Sequence, residues 1–150
     1  MQAITDLVNA AFRVEDFFKV GDRTDVREVR SLVASNEFLV LDADDAESRG
    51  SQLAACVYLE RDGPHAYFGM LSIDPARQGQ GLGRLMIEGL EARCREIGCN
   101  EIEIHVVNLR EELLPFYQRF GYVETGTLPF PDDGSASRPC HFIVMTKHLT

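Results

Sequence analysis

The sequence predicts an α+β fold: a mostly antiparallel, twisted sheet with one strand–loop–helix–strand crossover at its centre. Three observations point to it. Apolar residues recur at helical spacing early in the chain and again over residues 82–97. Short apolar runs bounded by Gly, Pro, Asp and Ser supply strands. The elements run helix, helix, three strands joined by hairpin-like turns, helix, strand, helix, two strands. That mixture suits helices packed on a sheet, with a single parallel crossover.

Each element has a local cause. Ile4, Leu7, Val8, Ala11 and Phe12 make one helical face over residues 4–12, and Phe17-Phe18 follows as an aromatic plug. Thr24 or Asp25 can cap a second helix whose Val26, Val29, Leu32 and Val33 share a face. Residues 38–41 read as a strand and the acidic stretch 42–51 as a hairpin loop. Residues 53–60 and 65–73 are two further strands around an Asp62-Gly63 turn. The helix over 82–97 carries a buried stripe of Leu82, Leu85, Met86, Leu90, Cys94 and Ile97, and Gly98 ends it. In 101–107, Ile102, Ile104 and Val106 alternate with Glu101, Glu103, His105 and Val107. Residues 108–120 contain a short helix, irregular at its start because of Pro115. Residues 122–128 and 141–145 are the last strands, separated by a polar loop over 130–139.

The 150 residues fit one domain, 1–150, with no linker or repeat. With 15 Lys and Arg against 24 Asp and Glu, the formal net charge is −9. That argues against a general nucleic-acid binder, which needs a basic face. It is compatible with a cationic ligand. No apolar run approaches the ~20 residues of a membrane span, and the first residues lack a basic leader, so a cytoplasmic protein is expected. Cys56, Cys94, Cys99 and Cys140 lack zinc spacing and are expected to be reduced. His65, His141 and His148 show no ligand pattern, so no metal is expected. Glu111-Glu112 reads as a charged first helical turn, and Asp42, Asp44, Asp45 and Glu47 as a solvated charge run.

The chemistry concentrates in Arg77-Gln78-Gly79-Gln80-Gly81-Leu82-Gly83-Arg84. Glycines at this density cost backbone entropy. A strand, a glycine loop and a helix N-terminus together suit an anion such as pyrophosphate. No Gly-Lys-Ser/Thr follows, so this is not a Walker A loop, and the G-x-G-x-G spacing is not the dinucleotide fingerprint. By itself the loop is equally a plain glycine-rich turn.

Residues 71–83 resemble the signature of the GNAT superfamily of acyl-CoA N-acyltransferases, with Gln78, Gly81 and Gly83 at its three signature positions. Asn108 after the next strand, and Phe116-Tyr117-Gln118-Arg119-Phe120-Gly121-Tyr122, look like the family's later elements. The resemblance spans about residues 38–145. Two features depart from it. Asn108 and Tyr117 are nine apart with Pro115 between, and the chain starts in helix-like sequence where the family opens with an edge strand.

The resemblance implies direct acetyl transfer from acetyl-CoA to a primary amine of an unidentified acceptor. Amides around Gln78, Gly79, Gln80, Gly81, Leu82, Gly83 and Arg84 would wrap the pyrophosphate. Leu71, Ser72 and Ile73 would pair with the pantetheine as a strand pairs with a sheet, and Asn108 would complete the donor site. Tyr117 would protonate the leaving thiolate. Glu103 or His105 would take the amine's proton, or both simply line a solvated strand face. The Phe17-Phe18 region and the 130–139 loop would shape the acceptor pocket. A binding module for acyl-CoA without turnover, or a phosphate-binding domain for another nucleotide, are the competing readings. The apolar strand 38–41 would sit at an open edge, which predicts a homodimer covering this side or the C-terminal strand, the alternative being that the first residues fold back and shield it.

Overall fold

The protein, a computed structural model, is described over residues 1–43 and 53–149. The elements are α1 (Gln2–Ala11), α2 (Val26–Ser35), β1 (Glu37–Asp42), β2 (Leu53–Asp62), β3 (His65–Ile73), α3 (Leu82–Glu96), β4 (Glu101–Val107), α4 (Leu113–Gln118), β5 (Val123–Pro129) and β6 (His141–His148). They form one six-stranded sheet in the order β1-β2-β3-β4-β6-β5. Only β3 and β4 run parallel; the other neighbours are antiparallel. The expected α+β architecture and central crossover are therefore present. Most of the acidic 42–51 stretch lies outside the described residues.

Strand alternation sends side chains to two faces, and helices cover both. Ala55, Val57 and Leu59 of β2, Ala66 and Phe68 of β3, and Ile102, Ile104 and Val106 of β4 pack against Met86, Ile87, Leu90 and Cys94 of α3 and Tyr117 of α4. Cys56, Tyr58 and Met70 face the other way, onto Leu7 and Val8 of α1. Asp25 caps α2 by accepting a bond from the Glu28 amide at 2.8 Å, worth about 1 kcal/mol. Glu91 of α3 is buried, accepting from Tyr122 Oη at 3.1 Å and Lys147 Nζ at 2.8 Å. It ties α3 to the far side of the sheet.

Three expectations need correction. Leu85 is 50% exposed, and Ile87 takes its place in the stripe of α3. At 100° per residue Leu85 points about 140° away from Leu90, too far to share its face. β6 continues to His148 because it pairs with β4 along its whole length, from Val107↔Phe142 to Glu101↔His148. Tyr122 is fully buried ahead of β5 rather than within it.

Among the described residues β1 is bonded on one side only, to β2, and α1 rather than a strand is the first described element. No helix among the described residues is long and apolar enough to cross a membrane. Burial raises the thiol pKa of Cys56 to about 12 and that of Cys94 to about 11, which makes both poor nucleophiles.

Candidate active site

The site begins with a defect in the sheet. β3 and β4 pair only at His65↔Glu101, Ala66↔Ile102 and Tyr67↔Glu103. Beyond Tyr67 they separate, β3 staying with β2 and β4 with β6. A bulge marks the divergence: Met70 and Leu71 together oppose Val57, and Met70 adopts φ +54°. A non-glycine residue there stores roughly 1–3 kcal/mol of strain. The splay leaves two facing strand edges with backbone groups that need partners.

A cleft of about 1000 Å³ runs through this splay. It is large for a small-molecule site. Because it passes between strands, its two ends lie on opposite faces of the sheet.

On the α3 and α4 face lies the glycine loop. Gly81 caps α3 with φ +77°, and Gly79 has φ +83°; both conformations favour glycine. The first intrahelical bond of α3 runs from the Leu85 amide to the Gly81 carbonyl. The amides of Leu82, Gly83 and Arg84 therefore have no partner within the helix. Gln78, Gly79, Gly81, Leu82, Gly83 and Arg84 all line the cleft, with Leu71 and Ile73 from β3. Gly83 also has a packing reason, since an added Cβ would lie 3.3 Å from Phe116 Cζ of α4. Tyr117 lines the same end, and its hydroxyl has no hydrogen-bond partner among the described residues. Burial holds its pKa above the ordinary tyrosine value, with the Arg110 charge opposing.

On the α1 face, His105 lines the cleft and Glu103 stands behind it, with Nε2···Oε2 at 2.6 Å. The Tyr67 ring packs on His105 at 4.9 Å, and Phe142 and Phe130 continue the aromatic wall. The 130–139 loop is fastened over this end: Val20 N donates to Ser135 O and Ser137 N to Phe18 O. Glu15, from the 3₁₀ turn Phe12–Glu15, is buried and paired to Arg110 at 2.9 Å. Burial raises its carboxyl pKa, while Arg110 first, and then the charges of Arg23 and Lys19, pull it back.

Six residues singled out in the sequence do not line the cleft: Phe17, Phe18, Ser72, Gln80, Glu103 and Asn108. Gln80 is exposed, and Glu103 reaches the cleft only through His105. Ser72 is buried with its hydroxyl on the Met70 carbonyl at 2.9 Å. Asn108 joins β4 to β6, its amide donating to His141 O at 2.9 Å and its Oδ1 accepting from His141 N at 2.8 Å. Phe18 is fully buried, with its ring 6.4 Å from that of Phe130, and Phe17 is exposed, while Phe130, Pro131, Asp133 and Ser135 of the loop do line the cleft. Tyr67 lines it too, and Glu15, Lys19, Arg23 and Arg110 line it with no sequence-local signal. Only contacts between distant segments reveal them.

Solved structures of the same fold include Ard1 from Thermoplasma volcanium, at 16% identity, TM-score 0.76 and 99% and 93% coverage of the two chains. The ribosomal-protein-S18-alanine N-acetyltransferase from Escherichia coli matches at 17% identity, TM-score 0.64 and 95% and 88% coverage. An aminoglycoside 6'-N-acetyltransferase complexed with coenzyme A matches at 18% identity, TM-score 0.72 and 99% and 90% coverage. No curated protein matches the chain. The family model for the acetyltransferase (GNAT) family matches residues 1–122. With the splayed strands and the glycine loop on one cleft, the conclusion is direct: this chain belongs to the GNAT acetyltransferase family.

Proposed function

We propose that the protein transfers an acetyl group from acetyl-CoA to a primary amine. The observation that carries this reading is the splay of β3 from β4, which opens a passage from the glycine loop to His105. The free amides of Leu82, Gly83 and Arg84 suit the pyrophosphate. The exposed edge of β3 at Leu71 and Ile73 suits an extended pantetheine arm. The thioester then sits in the splay, with Tyr117 on one face of the sheet and His105 on the other.

The amine nitrogen attacks the thioester carbonyl carbon, and a backbone amide of β3 stabilises the oxyanion. The nitrogen loses its proton to His105, which Glu103 orients and whose positive charge it offsets. The C–S bond then breaks. Its electron pair goes to sulfur, which takes the phenolic proton of Tyr117. The proton left on His105 balances the one Tyr117 gave up, and solvent exchange restores both.

Isothermal calorimetry with acetyl-CoA, followed by thiol release with pooled amines, tests the reading. Gly81→Val puts a β-branched residue where φ is +77° and crowds the amide cradle. It is expected to abolish acetyl-CoA affinity while the circular dichroism spectrum stays native. Unchanged affinity in the folded variant would remove the donor site. Binding without thiol release would leave an acyl-CoA-binding module. The free edge of β1 is where a second copy would complete the expected homodimer; a monomeric mass by light scattering would remove that assembly.

A further inference from the structure

The chain carries a net charge of −9, yet six cations and four carboxylates line the cleft among the described residues. Arg77, Arg84 and Arg119 lie with the glycine loop and α4, where a phosphate-rich donor accounts for them. Lys19, Arg23 and Arg110 line the α1 face. Arg110 is committed to Glu15 at 2.9 Å and Glu112 at 2.7 Å. Lys19 and Arg23 form no ion pair with a described residue.

Both stand on fixed backbone. The Arg23 guanidinium lies 5.3 Å over the Phe12 ring. The residue after it is clamped twice to Asn9, by Asn9 Nδ2 to Thr24 O at 3.0 Å and Thr24 N to Asn9 Oδ1 at 2.9 Å. Lys19 is bridged through its backbone to Ala136 of the covering loop. Of the carboxylates on this wall, Glu28 accepts from the Thr24 hydroxyl and Asp133 from Ser135 N at 3.0 Å, while buried Glu15 feels both cations and Asp133 feels Lys19 without a close ion pair. The wall thus presents two anchored cations to the same end of the cleft as His105 and its aromatic neighbours.

We propose that the acceptor is an amino acid: a primary amine whose skeleton also bears a carboxylate, with Arg23 and Lys19 holding the carboxylate. The amine then points to His105, and the side chain rests on the aromatic wall of Tyr67, Phe130 and Phe142. This rests on the acetyl-transfer reading and narrows its acceptor. A polyamine or aminoglycoside acceptor would instead meet Lys19 and Arg23 as like charges.

The test measures coenzyme A release for the twenty amino acids, each beside its carboxamide, which keeps the amine and removes the negative charge. Charge-assisted bonds of this kind discriminate by about 10- to 100-fold. For the amines that turn over, the acid is expected to exceed its amide in kcat/KM by at least about tenfold. In the Lys19→Met/Arg23→Gln variant that ratio is expected to collapse towards one, whereas Arg23→Lys keeps part of it. Equal rates for acid and amide, or a ratio that survives the double variant, would overturn the proposal. So would acetyl-CoA binding with no turnover of any acid, which leaves the donor site standing. Failure to bind acetyl-CoA in calorimetry removes the acetyl-transfer reading itself, and this proposal with it.

Discussion

The two ends of the cleft are built in different ways. The end on the α3 face is made of backbone: consecutive amides at a helix start, glycines at positive φ, and the free edge of one strand. The end on the α1 face is made of side chains drawn from the 12–23 segment, β3, β4 and the 130–142 segment. As the proposed donor end, the first would recognise what every acyl-CoA shares and would vary little. The second places individual charges and rings, so substitutions there are expected to change the acceptor without disturbing the donor. Variants that separate donor from acceptor effects test this division.

The largest effect is expected for Tyr117→Phe. Loss of a general acid is worth roughly 10²–10⁴ in kcat, with acetyl-CoA affinity nearly intact. Because burial raises the tyrosine pKa, its deprotonation should not limit the wild-type rate below about pH 10. A pH–rate profile of both proteins checks this, and an unaltered kcat would reduce Tyr117 to packing.

Arg110→Met comes next, and its effect is on stability. Arg110 and Glu15 are 15% and 8% exposed, so removing the cation strands a buried carboxylate, at about 3 kcal/mol. The sign follows from Glu15, whose folded pKa is already raised by burial and climbs further without Arg110. Below the unfolded value the carboxyl is protonated in both states, and the deficit is small. The deficit grows as pH rises through the raised folded value. Urea melts at pH 5 and pH 8 should show the larger loss at pH 8; an equal loss would show that charge burial is not the cause.

Glu103→Gln keeps the size of the group behind His105 and removes its charge. A decrease of about tenfold in kcat is expected, roughly 1.4 kcal/mol of imidazolium stabilisation, with the acetyl-CoA Kd unmoved. A rate equal to wild type would leave Glu103 as a solvated strand residue.

Gly69→Ala is the smallest change. An added Cβ would lie 2.8 Å from Tyr67 Oη, so the ring must shift against His105. The displaced packing is worth about 1 kcal/mol. The acceptor KM is expected to rise about fivefold while donor affinity holds. A change in acetyl-CoA Kd instead would mean that the two ends are coupled through β3.

The donor half of the site was legible because its signals are local. Positive-φ glycines, a helix start and a strand end are written within residues 71–84, and Tyr117 stands in its own short motif. The proposed acceptor half was legible at Glu103 and His105, where alternation along one strand put both on the same face, and at the 130–139 loop, of which Phe130, Pro131, Asp133 and Ser135 line the cleft. Glu15 illustrates what was hidden. In sequence it is one acid among many beside Phe17-Phe18; its role comes from burial against Arg110, 95 residues away.

The sequence by itself determined the order of elements, the sheet with its central crossover, and the glycine loop at the start of α3, because periodicity, capping and glycine chemistry act over a few residues. Only the tertiary structure decided where β3 leaves β4, that Ser72 and Asn108 are tied to backbone neighbours, and that Lys19 and Arg23 join His105 on one wall. The physical reason is that a strand's partners, a residue's burial and a charge's pairing depend on segments distant in the chain. A local pattern therefore predicts what the backbone can do, and packing decides which side chains meet.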